Sequence, residues 1–418
     1  MPVVPETCDP PVNSAAPVWI ERGTRLYLRV SVALFLAGFA TFSLLYCVQP
    51  LLPEFARAFA ISPAQSALAL SVSTACLAVS TVLSGALSEG FDRRRLMFIS
   101  MALAALCNLA ACLVPQWHAL LAARALEGIL LGGVPAVSMA YLAEEIAPNG
   151  LGLAIGLSVS GNALGGMLGR VGMSAVTGFW SWRHALALLS VIDLACALGF
   201  VWLLPPSRNF VRRAGLGARY HLRAWGQHLR SKELLALFVV AFGLMGVFVS
   251  IYNYAGFLLG GAPYHMSQLQ IGHIFYAYLF GIVASPVAGA LADWLGRGPV
   301  LIAATLAAAL GVALTMLHPV AAIVTGIVFT TVGFFVGHSV ASSWVGRLAA
   351  QAKGHASALY LWCYYMGSSV LGAGAGWFWS RGGWNGVAAV CLATLAVVLV
   401  LALGVQRLTG GSKIQKSV

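Results

Sequence analysis

Charge is what this chain has least of. Of its 418 residues, 9% are charged and 60% are hydrophobic, against roughly a quarter charged in a soluble domain. That excludes a soluble globular or a disordered chain and leaves an integral membrane protein. Acids are scarcer than bases, 12 Asp and Glu against 24 Lys and Arg. No acidic cluster would hold Mg²⁺ and no Gly-x-x-x-x-Gly-Lys-Ser/Thr run is present, which excludes nucleotide-driven work. No cofactor and no metal are expected. Of eight cysteines, Cys47, Cys76, Cys107, Cys112, Cys196, Cys363 and Cys391 fall in apolar runs with no CxxC pair, so they read as small core residues. No nucleophile and base stand at paired helical spacing, so an enzyme is not expected. The first 24 residues hold five prolines and no apolar stretch of the kind a cleaved signal carries, and the first true span is expected to serve as an uncleaved signal.

What is present is a series of long apolar runs. A hydrocarbon core of about 30 Å needs roughly 20 apolar residues per helix. On that rule twelve spans are expected near 29–51, 65–88, 96–114, 118–142, 151–174, 182–204, 234–259, 268–292, 299–317, 319–342, 355–379 and 385–406. The net charge of +12 would suit a nucleic-acid partner, but the basic residues lie in short gaps between apolar runs. With the N-terminus inside, 19 of the 24 Lys and Arg fall on the cytoplasmic side and three, Arg57, Arg183 and Arg381, fall outside. The positive-inside rule then places both termini in the cytoplasm. The expected partners are a small-molecule solute, protons and the lipid bilayer, with no nucleic acid, and a monomer is expected to suffice.

The expected organisation is a disordered cytoplasmic tail over 1–28, a six-helix bundle over 29–204, a basic cytoplasmic linker over 205–233, a second six-helix bundle over 234–406 and a cytoplasmic tail over 407–418. In the linker Leu222, Trp225 and Leu229 interleave with arginines, as in a basic amphipathic helix lying on an anionic leaflet. The halves look duplicated. Gly289-Ala-Leu-Ala-Asp293-Trp-Leu-Gly296-Arg297 has a relative 204 positions earlier, Gly85-Ala-Leu-Ser-Glu89-Gly-Phe-Asp92 running into Arg93. Gly128 and Gly132 match Gly333 and Gly337 at an offset of 205, Gly165 and Gly169 match Gly372 and Gly376 at 207, and Trp182 matches Trp384 at 202. Small residues four apart let helix backbones approach closely, so both halves are expected to share one packing scheme, as in secondary transporters built from repeats.

These residues resemble the major facilitator superfamily over essentially all twelve spans. Gly289 to Arg297 resembles its signature loop between the second and third helices of each half, which implies gating roles for Gly85, Glu89, Arg93, Gly289, Asp293, Gly296 and Arg297. The first copy departs from the pattern, with Glu89 for the usual Asp and Asp92 for a Gly. Leu120 to Gly128 resembles the fourth-helix motif of proton-coupled members, whose Arg is Arg124 here. Gly152, Gly161, Gly165 and Gly169 keep the spacing of the fifth-helix antiporter motif, but Gly166 stands where its Pro belongs and Arg170 where its last Gly belongs. Leu45 to Pro50, Tyr141 to Ile146, Ser160 to Asn162, His338 to Trp344 and Gly383 to Gly386 are similar to the bacterial YnfM-type inner-membrane transport proteins, a group associated with acriflavine sensitivity and near the arabinose-efflux permeases. The resemblance implies an all-α membrane protein of two pseudo-symmetric six-helix bundles and proton-coupled efflux.

Ionisable groups within spans are costly and are functional candidates. Arg124 and Glu127, three apart on one helix face, either neutralise each other or form a proton site whose carboxylate the arginine tunes. Asp193 has no partner within one turn and serves either packing or proton handling. His338 falls on a helix that lines the central path of the resembling fold, and histidine titrates near working pH. Candidate substrate contacts are Tyr46, Gln49, Asn162, Arg170, Tyr252, Asn253, Tyr276 and His338, polar edges in apolar surroundings. The leading reading is proton-coupled export of small amphipathic or aromatic compounds. The alternatives are a sugar or organic-anion transporter, working by efflux or by proton symport, with Arg170 and Arg124 reading the solute, and a non-transporting membrane sensor.

Overall fold

Lipid offers backbone groups no hydrogen-bond partners, so a spanning chain satisfies them within helices. The computed structural model describes residues 18–87, 91–209, 218–349 and 351–414, and among these the one β-type pairing is a bridge between Ile20 and Ile146. Among the described residues eleven helices are long and apolar enough to cross a bilayer. Ten are single crossings: α1 (Arg25–Tyr46), α2 (Leu68–Leu87), α3 (Arg93–Ala111), α4 (Trp117–Glu145), α5 (Pro148–Phe179), α6 (Trp182–Leu203), α7 (Lys232–Gly260), α8 (Ala277–Trp294), α9 (Arg297–Leu314) and α10 (Val320–Leu348).

The last helix, Lys353–Ile414, counts 62 residues. Straight, it would reach roughly 93 Å, three times the hydrocarbon core. It turns at Gly383, whose φ of 54° and ψ of −141° are not helical and suit a residue without Cβ. A Cβ on Gly386 would run into the carbonyl of Phe378, which happens only where the chain doubles back. The segment is therefore two crossings, α11 (353–382) and α12 (384–414), and the total among the described residues is the expected twelve.

Helix starts are set by local chemistry. Thr24 Oγ accepts the Tyr27 N–H at 3.1 Å to open α1, Asp92 accepts from Arg95 at 2.7 Å to open α3, and Ser231 caps α7. Part of the expected N-terminal tail, 1–17, lies outside the described residues, as do 88–90, 210–217, 350 and 415–418. Residues 18–24 are tied down: Ile20 is buried, donates its N–H to the Glu145 carbonyl at 2.8 Å and accepts from Ala147 at 3.2 Å. The linker contains a helix, Ala218–Arg230. His221 meets His355 at 2.9 Å and His228 the Ala352 carbonyl at 3.2 Å, so Trp225 lies against the second half while Leu222 and Leu229 stay exposed.

In the first bundle α1 packs on α5 and α6, and α2 on α4; in the second α7 packs on α11, and α9 on α10. Glycines make the tight seams. A Cβ on Gly161 or Gly165 of α5 would strike the backbone of Phe35 or Phe39 of α1. The repeat holds in part for α5 and α11: Gly372 faces the side chains of Val249 and Asn253 of α7, whereas Gly376 meets Ala64 of the first half as well as the Tyr254 hydroxyl of α7. It breaks for α4 and α10: Gly128 faces Ser73 of α2, whereas Gly333 faces Ala304 and Ala308 of α9. The helices differ there, for α4 is interrupted at Gly132 and α10 runs unbroken.

The halves meet at the end away from the linker. Gly376 of α11 faces Ala64, Gly256 of α7 faces Pro53, Gly178 of α5 faces Leu269, and Gly272 faces Ser174. Gln268 also donates to the Pro50 carbonyl at 2.7 Å. Overpacking a tight seam costs about 1–3 kcal/mol, so Gly165→Ala should lower the detergent melting temperature of the purified protein while Gly156→Ala, with nothing within 4 Å of the added Cβ, should not. Equal melting of the two variants would contradict the seam.

Candidate substrate-binding site

Between the halves, on the linker side of the closed end, lies a cavity of about 500 Å³. Its depth runs along α5 from Gly152 to Arg170, and α1, α7, α8, α10 and α11 complete the wall. Seven aromatic side chains stand in the wall among aliphatic and small residues: Phe42 and Tyr46, Phe248, Tyr278, Phe334 and Phe335, and Tyr364. Phe248 stacks on Phe334 with centroids 4.0 Å apart and planes 14° apart, which fixes one flat face. Asn162, Ser160, Ser339, Ser342 and His338 supply separate polar edges. His338 Nδ1 is 3.0 Å from the Tyr360 hydroxyl and its ring lies 4.7 Å from that of Tyr364.

Arg170 lies at the deep end, 1% exposed. Its Nε donates to Gln49 Oε1 at 2.6 Å and its Nη1 to the Gly166 carbonyl at 2.5 Å. The guanidinium carbon is 4.3 Å from the Tyr46 ring centre, 4.9 Å from that of Tyr278 and 5.6 Å from that of Phe275, a cation held among π faces. Among the described residues no carboxylate pairs with it. Gln49 Nε2 donates in turn to Asn253 Oδ1 at 2.8 Å.

Arg124 is buried elsewhere, in the core of the first half. Its Nη2 donates to the Leu45 carbonyl at 2.7 Å, Nη1 to that of Leu44 at 3.2 Å and Nε to that of Ala69 at 3.1 Å, while Nη1 also meets Glu127 Oε2 at 2.5 Å. Leu44 and Leu45 lie in the last turn of α1, which ends at Tyr46, and a helix leaves its last carbonyls without intrahelical donors. Arg124 supplies the missing donors and joins α4 to α1 and α2. Asp193 of α6, fully buried, accepts from Ser43 Oγ of α1 at 2.9 Å. Asp193 Oδ2 and Glu127 Oε1 have no hydrogen-bond partner among the described residues.

The structure thus brings Tyr46, Asn162, Arg170 and His338 to one cavity and sets Gln49 and Asn253 just beyond its deep end. Tyr252 is buried behind the wall, stacked on Phe275 at 5.2 Å with its hydroxyl 2.8 Å from Thr331 Oγ1. Tyr276 is not brought there: it is 44% exposed and stacks on His273. The wall residue on that segment is Tyr278, two positions and about 200° around a helix away. The spacing of Tyr278, Ile282, Ser285 and Pro286, all on the wall, is a helical face visible in the sequence. Asn108 is a second residue that sequence reasoning missed; it donates to Ser190 Oγ at 3.0 Å beside Asp193's helix turn.

The two loop copies differ. Asp293 is 3.4 Å from Arg297 and 3.5 Å from Arg347, mostly exposed, and Gly296 takes a φ of 90° before α9; Gly289 has open space around it. In the first copy Gly85 lies in the last turns of α2, Glu89 lies outside the described residues, and Arg93 is held in a two-bond fork by Glu144 at 2.8 and 2.6 Å.

The Major Facilitator Superfamily pattern matches residues 34–275 and 255–416. The inner membrane transport protein YnfM of Escherichia coli (strain K12) is 43% identical over 385 residues, 92% of this chain and 91% of that one. The chain belongs to the major facilitator superfamily. As a member of that superfamily it is a multi-pass membrane transport protein with a small-molecule solute, and not an enzyme. The uncharacterized MFS-type transporter YybF of Bacillus subtilis (strain 168) is 41% identical over 92% of this chain and 95% of its own. Among solved structures, a mutant of the nucleoside transporter NupG superposes with a TM-score of 0.74 at 15% identity, covering 92% of this chain and 99% of the other. The human organic anion transporter TETRAN gives 0.68 at 18%, covering 90% and 99%. At these identities the likeness is one of fold.

Removing one member of a buried ion pair costs about 3–5 kcal/mol. Glu127→Ala should therefore unfold in detergent well below the wild type, and Glu127→Gln, which keeps an oxygen toward Arg124, should recover most of the loss. An Ala variant that melts with the wild type would mean the pair holds nothing.

Proposed function

We propose that this chain is a secondary active transporter, moving small amphipathic or aromatic compounds outward by alternating access and drawing on protons. The cavity carries this reading: flat aromatic faces with a few separated polar edges suit a flat apolar solute, whereas a polyhydroxylated sugar needs many paired donors and acceptors. The halves 29–204 and 234–406 rock about this site, joined by 205–233. The excess of basic residues puts the termini, the linker and the cavity mouth on the cytoplasmic side of a bacterial inner membrane. The state described is then inward-facing, and export is the direction in which a cytoplasmic solute meets an open site. A single copy contains the whole cavity.

Proton coupling is assigned to Asp193 and Glu127, with His338 as the titratable group on the cavity wall. Arg124 holds Glu127 at 2.5 Å, but no cation pairs with Asp193 among the described residues. A proton arriving at Asp193 therefore changes the net charge of the first-half core. Its partner Ser43 packs against Gly169, since a Cβ there would sit 2.9 Å from Ser43 Cα, and Arg170 is the next residue. Charge at Asp193 is thus felt along the α1 and α5 seam that forms the cavity floor. One proton crossing 100 mV supplies about 2.3 kcal/mol, enough for a gradient of roughly 50-fold.

In proteoliposomes an imposed pH gradient should drive uphill movement of a fluorescent aromatic solute, and Asp193→Asn should uncouple it while leaving downhill movement. Coupling left intact in Asp193→Asn, Glu127→Gln and His338→Ala alike would sink the proton assignment.

A further inference from the structure

We infer that the transported compound carries an anionic group that docks on Arg170 in exchange for Gln49, so that loading the cavity and loosening its closed end are one event. This rests on reading the cavity as the transport site. A buried guanidinium without a carboxylate is costly in a membrane, and the chain spends backbone room to keep one here. Gly166 makes that room. A Cβ there would come within 3.2 Å of Arg170 Nη1, and its carbonyl accepts from that same nitrogen. The two positions at which α5 departs from the antiporter pattern, Gly166 for Pro and Arg170 for Gly, are therefore one contact, four residues apart on one face.

The partners that Arg170 has are neutral. Gln49 Oε1, the Gly166 carbonyl and the faces of Tyr46 and Tyr278 carry partial charges, and a carboxylate binds a guanidinium about twice as strongly as a neutral acceptor does. An aromatic monoanion reaching the deep end between Tyr46 and Tyr278 can lay its ring on the aromatic wall and its oxygens on Arg170. Arg124 cannot play this part, because Glu127 and three backbone carbonyls occupy its donors.

The acceptor displaced is also the bridge between halves. Gln49 belongs to the turn after α1 and Asn253 to α7, and Asn253 Nδ2 continues to the Gly372 carbonyl of α11 at 3.4 Å. Arg170 fixes the Gln49 amide with its oxygen toward α5, which aims the nitrogen at Asn253. When Arg170 turns to an anion, that orientation loses its anchor and the bridge loses its geometry. The glycine seams at the closed end then lack their central polar tie.

The test uses the full-length protein in nanodiscs with three isosteric probes: 1-naphthoate, neutral 1-naphthamide and cationic 1-naphthamidinium. Wild type should bind naphthoate at least tenfold more tightly than either other probe, and Arg170→Gln should abolish that preference while Arg170→Lys keeps part of it. Naphthoate binding no tighter than naphthamide would overturn the anion assignment, as would a preference that survives in a monodisperse Arg170→Gln. Spin labels at Phe179→Cys and Leu317→Cys, on a background free of reactive cysteines, read the closed end; naphthoate should shift them toward longer distances. Gln49→Leu should show the longer distances without probe, and naphthoate should still bind it but shift nothing further. Selective binding with an unmoved closed end would refute the exchange. Absence of uphill movement of all three probes in proteoliposomes, with naphthoate binding intact, would instead refute transport through this cavity.

Discussion

A charge placed where neither water nor a counter-ion reaches must be compensated by the protein itself, and the first half of this molecule is arranged around that requirement. Arg124 meets it with three backbone carbonyls and Glu127. Two of those carbonyls, Leu44 and Leu45, lie in the last turn of α1, where a helix leaves acceptors open, so one irregularity answers another: a helix end takes the donors of a buried cation. Arg170 meets the same requirement with neutral partners only. The two arginines share a residue type and depth of burial, yet one is a completed structural junction and the other keeps capacity for a ligand.

That difference gives the cavity its polarity. The aromatic side chains of the wall present flat apolar faces, and Arg170 puts a cation at the deep end alone. Asp193 stands on the far side of the α1 and α5 seam, in contact with Ser43, so the buried cation at the cavity's deep end and the buried acid belong to adjoining layers of one bundle. The second half contributes ring faces, His338 and the Asn253 end of the bridge. Neither half forms the site alone, which is what rocking about a shared site requires.

The architecture was legible in the sequence because it depends on run length and composition, quantities that a bilayer reads directly. The twelve crossings, the small-residue seams of α5 and α11 and the paired character of Arg124 and Glu127 follow from spacing alone. The partner of Gln49 was not legible: Asn253 is 204 residues away, and only packing of the halves brings the two amides together. Tyr276 shows a subtler limit. It stands in a 3₁₀ turn over His273–Tyr276 ahead of α8, two residues and about 200° of helix rotation from Tyr278, and the position of an aromatic in an apolar run does not say which of the two faces the cavity. Likewise Gly128 and Gly333 align in sequence but face different neighbours, because the interruption of α4 at Gly132 has no counterpart in α10.

The hairpin between α11 and α12 turns on Gly383 alone, and this has a mechanical consequence. A connection without slack transmits displacement as a stiff elbow does, so α11 cannot slide along α2 without dragging α12. Gly243 of α7 lies against Val398 and Thr394 of α12, and α7 packs along α11. The three helices therefore behave as one lever, and a push applied where α11 meets α2 at the closed end is delivered to the opposite flank of the second half.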